Sequence, residues 1–150
     1  MLKTIRPLLI VLFTTLLTYL GFSNSIDPAF VISRFQTPEN QTIIEIENND
    51  DEKIILKAGN EKYGFNHILK RHSGQYFKEF DQKGRLFPEG TTGKQIIKGI
   101  ETVYKFGEPD IKAYGNTKVL IRELEINGQK GKYRLVINDQ KEIITFFKVK

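Results

Sequence analysis

The sequence predicts an α+β fold, with N-terminal helices packed on a three- to four-stranded antiparallel β meander and a β-hairpin leading. Three observations predict it. "TGKQIIKGIETVYKFG" carries Ile96, Ile97, Ile100, Val103 and Tyr104 as an apolar stripe at helical spacing. Three apolar runs follow, "KVLIRELEI", "KYRLVIND" and "IITFFKV", separated by the turn signals "NGQKG" and "DQKE". Upstream, "QTIIEIENNDDEKIILKAGN" alternates Ile43, Glu45 and Glu47 on one face with Ile44 and Ile46 on the other, and "NNDD" supplies turn residues.

Taken in order, the chain begins "MLKTIRPLLIVLFTTLLTYLGFSNSID". Lys3 and Arg6 form a short basic region, no charge appears from Pro7 to Ile26, and Ser23-Asn24-Ser25 close the run. This is the layout of a secretory signal peptide with cleavage near Ser25. The apolar stretch Leu8 to Phe22 is short against the roughly 20 residues of a spanning helix. The expected location is therefore secreted or periplasmic in a bacterium, with an uncleaved membrane anchor as the alternative. The plan is residues 1–25 as signal or anchor, 26–61 as an acidic leading hairpin segment and 62–150 as the main domain. "AFVISRF" reads as a short strand before the hairpin. "GFNHILKRHSGQYF" is helical at its centre, with Phe65, Ile68 and Leu69 on one face, Asn66 as its cap and Ser73-Gly74 as its stop. "DQKGRLFPEGTTGK" is a loop rich in Gly and Pro. Thr92 or Thr91 caps the long helix and Gly107 ends it. "IKAYGN" adds a strand ahead of the meander. Helices on one face of the sheet leave the other face able to carry a site.

Composition removes several chemistries. The 150 residues contain no Cys, which excludes disulfides, a thiolate nucleophile, Cys-based zinc sites and iron–sulfur clusters. Net charge is +5, unevenly spread. Ile26 to Glu61 holds three basic and eight acidic residues, whereas Lys62 to Lys150 holds eighteen basic and ten acidic. A basic second part attracts polyanions, and phosphate contacts dominate nucleic-acid affinity.

Both histidines, His67 and His72, lie in "HILKRH" beside Lys70 and Arg71. Two imidazoles can run phosphodiester cleavage by transesterification. One neutral ring takes the ribose 2′-OH proton, and one imidazolium donates to the departing 5′-oxygen. A Lys or Arg stabilises the charge developing on the phosphate. The alternative is two surface histidines on a basic helix. Metal binding is disfavoured because the five-residue separation misses the i, i+4 spacing of zinc helices, and no third His completes a set. No metal and no cofactor is expected. "EGTTGK" resembles a phosphate loop in composition only, and no G-x-S-x-G elbow is present. In the strands, Arg122, Arg134, Thr145 and Lys148 interrupt apolar runs and, on adjacent strands, could line one basic groove. Tyr133 and Phe147 are candidates to stack bases beside it.

These segments together, "HILKRH", then "LFPEGTTGKQIIKGIETV", then a meander ending "IITFFKV", resemble bacterial EndoU-type ribonucleases. More broadly they resemble the barnase/EndoU/colicin/RelE superfamily of small RNases and toxin domains. The resemblance covers roughly residues 62–149. His67 matches the first histidine, Phe87-Pro88 the loop, Ile97 and Ile100 the helix stripe, and Thr145 with Phe147 the last-strand Ser/Thr and aromatic. The chain departs from the pattern in lacking the glycine-rich stretch before the second histidine and in having Phe147 where a Tyr is usual. The family's lysine falls on Lys130, Lys132 or Lys148, with Arg134 as a substitute. The resemblance implies a metal-independent, toxin-like endoribonuclease that leaves a 2′,3′-cyclic phosphate, and the N-terminal run implies that it is exported. His67, His72, Arg134 and Thr145 would be catalytic. Lys70, Arg71, Arg122, Lys132, Tyr133, Phe147 and Lys148 would contact substrate. The implied partners are RNA and an immunity or inhibitor protein, with a membrane contact only through an uncleaved N-terminus. The alternative is a catalytically degraded domain that binds a polyanion or an envelope protein, and a cell-wall glycan hydrolase with a carboxylate pair is a third option.

Overall fold

The first element departs from the expected strand. In the computed structural model, which describes residues 26–77, 86–111 and 115–149, "AFVISRF" forms helix α1, Pro28–Arg34. The Asp27 carboxylate accepts the Ala29 N–H at 3.2 Å, and Pro28 takes the first helical position, where no N–H is needed. This start signal outweighs the β-branched content of the segment. The run read as a signal or anchor lies outside the described residues. Among the described residues no helix is long and apolar enough to cross a membrane.

The hairpin forms as expected from β1, Thr42–Glu47, and β2, Lys53–Lys57, paired antiparallel. Asn48 Oδ1 closes the turn by accepting the Asp50 and Glu52 N–H groups, each at 2.9 Å. Helix α2, Gly64–His72, buries Phe65, Ile68 and Leu69 on one face. Its cap differs from expectation. Tyr63 holds the N-cap position without a side-chain bond. Asn66 sits inside the first turn, where its N–H donates to the Ala58 carbonyl at 2.8 Å and its amide to the Gly59 carbonyl at 3.2 Å. Those bonds tie α2 to the end of β2, and Gly64 meets the strand so closely, at φ +78°, that a Cβ would lie 2.8 Å from the Lys57 carbonyl.

Helix α3, Gly93–Phe106, has the expected start and stop. Thr92 and Gln95 form a reciprocal capping box, and Gly107 ends the helix. Then come β3, Glu108–Pro109, β4, Lys118–Ile126, β5, Gln129–Ile137, and β6, Ile143–Lys148, in spatial order β3-β4-β5-β6 and all antiparallel. The strand paired with the outer edge of β4 is Glu108–Pro109, and in "IKAYGN", read as a further strand, residues 112–114 lie outside the described residues. Asn127 and Gly128, both at positive φ, make the tight turn between β4 and β5.

The ladder register sorts the sheet into two faces. Leu120, Leu135 and Phe146 are partners on the inner face, where they join Ile96, Ile100, Phe65 and Ile68 in the main core. Ile46, Ile54 and Leu56 of the hairpin belong to that same core. Val119, Val136 and Thr145 are partners on the outer face, as are Ile121, Arg134 and Phe147. Val119, Val136 and Phe147 form a second, smaller apolar cluster there.

Asp27 also fastens the helices to one another. Its carboxylate accepts the Tyr76 hydroxyl and, at 3.2 Å, the Gly93 N–H at the start of α3. At this contact a Cβ on Gly93 would lie 2.4 Å from Asp27 Oδ1 and 2.5 Å from Ala29 Cβ. Gly93→Ala is expected to destabilise the protein by about 1–3 kcal/mol through overpacking. Urea denaturation measures it, and an unchanged midpoint would mean that α1 and α3 do not meet at this residue.

Candidate functional site

Helix α2 carries both histidines to β6, the last strand of the sheet. The imidazole centroids of His67 and His72 lie 6.0 Å apart, with the rings nearly perpendicular. His67 is half-buried. Its Nδ1 lies 2.7 Å from the Glu61 carbonyl oxygen. A carbonyl only accepts, so Nδ1 carries the proton, and in the neutral ring Nε2 holds the lone pair. Burial holds the His67 pKa below the ordinary 6.5, and the positive charge of Arg71 pushes the same way, while the bond to the Glu61 carbonyl opposes both. The ring is thereby kept neutral, with one defined basic nitrogen.

His72 ends α2 and is only 8% exposed. It stacks on Phe147, with centroids 5.2 Å apart and planes 25° apart, and meets Phe87 edge-on at 6.4 Å. Its carbonyl accepts the Phe87 N–H at 2.9 Å, so the "FP" loop is pinned to the end of the helix. Its Nε2 lies 3.5 Å from Thr145 Oγ1. The outer-face register makes this meeting possible, because Thr145 and Phe147 project from the same side of β6.

Arg134 reaches the group through Phe147. Its guanidinium carbon sits 5.7 Å from the Phe147 centroid, and its Nε donates to Asp110 Oδ2 at 2.6 Å. Both side chains of this pair are largely buried, at 9% and 12% exposure. His67, His72, Thr145, Phe147, Arg134 and Asp110 therefore form one chain of contacts.

Other sequence candidates lie elsewhere. Tyr133 is fully buried on the inner face, stacked on Phe87 at 6.1 Å and Phe146 at 5.6 Å, so it is a core residue and presents no surface to a base. Its hydroxyl is buried without a hydrogen-bond partner among the described residues, and burial raises its pKa. The stem of Lys148 lies over Gly131 on that inner side, away from Thr145 and Phe147. Arg122 donates to the Phe106 carbonyl at 2.6 Å and covers the Phe106 ring, which satisfies the C-terminal end of α3. Lys70 pairs with Glu61 at 3.2 Å and lies over Phe77. Lys132 is exposed on the outer face, directly opposite Glu123. Arg71 is exposed on α2 beside His67.

Asp110 and the Glu61 carbonyl were not foreseen. Asp110 follows an edge strand of two residues, and nothing local links it to Arg134, 24 positions on. A backbone carbonyl leaves no mark in the sequence at all. Next to the site, a cavity of about 600 Å³ opens between the turn after α2 and the "FP" loop, lined by Ser73, Gln75, Phe87, Pro88, Glu89 and Thr91. Among the described residues no group of three or more His, Asp or Glu side chains is placed to hold a metal ion. No protein-family model and no curated protein matches the chain.

Proposed function

We propose that this protein is an exported, metal-independent endoribonuclease that cleaves RNA by acid–base transesterification. The observation that carries the proposal is the histidine pair. Two imidazoles stand 6.0 Å apart, one with its basic Nε2 defined by the Glu61 bond and the other with Nε2 beside a hydroxyl. Each nitrogen must come within about 3 Å of the proton it moves, and rings this close on one helix can serve the same phosphate.

In this scheme His67 Nε2 takes the 2′-OH proton, and the 2′-oxygen attacks phosphorus. The bond from phosphorus to the 5′-oxygen breaks, and His72 delivers the proton to that oxygen. Products are a 2′,3′-cyclic phosphate and a 5′-hydroxyl. Thr145 holds His72 through Nε2 or binds a phosphate oxygen. The basic second part of the chain draws RNA in, and the uncharged run from Pro7 to Ile26 supports export.

The test is incubation of the purified protein with single-stranded RNA in EDTA. Cleavage to cyclic-phosphate ends supports the proposal, and no cleavage at any pH between about 5 and 8 defeats it. The acid limb of the rate profile is expected below pH 6.5, because His67 must be neutral to act and its burial lowers its pKa. Stability follows the same sign. Between the lowered folded pKa and 6.5 the unfolded chain binds more protons, so the contribution of His67 is complete above 6.5 and declines as the pH falls through that window.

A second reading is a degraded domain that binds a polyanion or an envelope protein without turnover. What favours it is the engagement of Arg134 by Asp110, which puts a carboxylate where a phosphate would approach. It predicts binding that His72→Ala leaves intact.

A further inference from the structure

The cations around the histidine pair differ sharply in how committed they are. Arg134 is held by Asp110 at 2.6 Å in a buried pair, and a phosphate would have to enter beside that carboxylate. Separating a buried ion pair exposes an uncompensated charge and is strongly unfavourable. Lys70 is engaged by Glu61 and Phe77, Arg122 by the end of α3, and Lys148 lies over Gly131 on the inner face. Lys132 stands opposite Glu123 and about 7 Å further along β5 than Arg134, two residues away from the histidines.

Arg71 is different. It is exposed, and its charge acts on His67. Around the helix axis its position lies about 40° from that of His67 and about 100° from that of His72, so the three residues share one side of α2. A guanidinium there offers a planar fork to two non-bridging phosphate oxygens. The same charge opposes protonation of His67, which suits a base.

We propose that Arg71 is the cation that meets the scissile phosphate, and that Arg134 with Asp110 is a positioning pair that sets His72 through Phe147. This assignment rests on the ribonuclease proposal above. In it Phe147 is the platform on which His72 stacks, and the buried Arg134–Asp110 pair holds that platform still. Neither residue of the pair touches substrate.

The test uses the full chain, a short single-stranded RNA as substrate and uridine 3′-monophosphate as a binding probe followed by NMR of the histidine ring protons. Arg71→Ala is expected to lower kcat/KM by about 10²-fold, with partial rescue in Arg71→Lys and no change in melting temperature. It should also abolish probe binding and move the acid limb of the pH profile upward. Arg134→Lys and Asp110→Asn should instead lower kcat with KM unchanged, while the probe still binds. Wild-type cleavage in Arg71→Ala, with probe binding lost only in Arg134→Lys, overturns this assignment and leaves the ribonuclease proposal standing. A wild-type protein that neither cuts RNA nor binds the probe removes both.

Discussion

Replacing His67 by Asn is expected to reduce RNA cleavage by about 10²–10⁴-fold while the protein stays folded. The Asn amide can still donate to the Glu61 carbonyl, as Nδ1–H does now at 2.7 Å. What is lost is the basic nitrogen on the far side of the ring. His67→Ala should show the same loss, with a small fall in stability from the unmet carbonyl. The measurement is initial rates on a short RNA, beside circular dichroism and melting curves for each variant. Undiminished cleavage by either variant would exclude His67 as the base. A loss of rate accompanied by unfolding in Asn as well as Ala would show that the ring holds structure rather than carrying chemistry.

Phe146→Ala is expected to cost about 3–5 kcal/mol, the largest stability effect of any single side chain considered. Phe146 is fully buried and joins three layers. It stacks on Tyr133 at 5.6 Å, meets Phe87 at a tilt at 5.7 Å and faces Gly99 of α3, where an added Cβ would sit 3.1 Å from its ring. Truncation leaves a cavity between sheet and helix that surrounding atoms fill only in part. The melting temperature should fall by about 10–20 °C. A fall of a few degrees would mean that the ring cluster repacks and that the inner face is looser than its contacts imply. Because Phe87 touches both Phe146 and His72, the same variant should also lower cleavage at temperatures where it is still folded.

Local physics made much of the fold legible. The stripe of Ile96, Ile100 and Val103, the Thr92–Gln95 cap and the Asn127–Gly128 turn each depend on residues a few positions apart. The hairpin and the order of the meander follow from period-two patterning in the same way. The miss at α1 was local as well. Asp27-Pro28 is a helix start, and it prevails over the strand preference of the β-branched residues in "AFVISRF". Asn66 was misplaced for a longer-range reason, since the carbonyls it satisfies belong to Ala58 and Gly59 at the end of β2.

The site was legible in part. His67 and His72 lie close in the chain, so their neighbourhood follows from a single helix. Which strand residues join them depends on register, and a shift of one position would have turned Thr145 and Phe147 to the core and Phe146 to the histidines. The bulge in the β5–β6 pairing near Val136 and Ile137 shows how finely that choice is set. Sequence patterning alone settled the element types other than α1, the basic second part and the presence of two imidazoles on one short helix, because each depends on near neighbours or composition. Tertiary structure alone decided that Thr145 meets His72 across 73 residues, that Arg134 is engaged by Asp110, and that Tyr133 faces the core. Contacts between distant segments depend on strand register and on how the helices lie across the sheet, and neither is written in any short stretch of the chain.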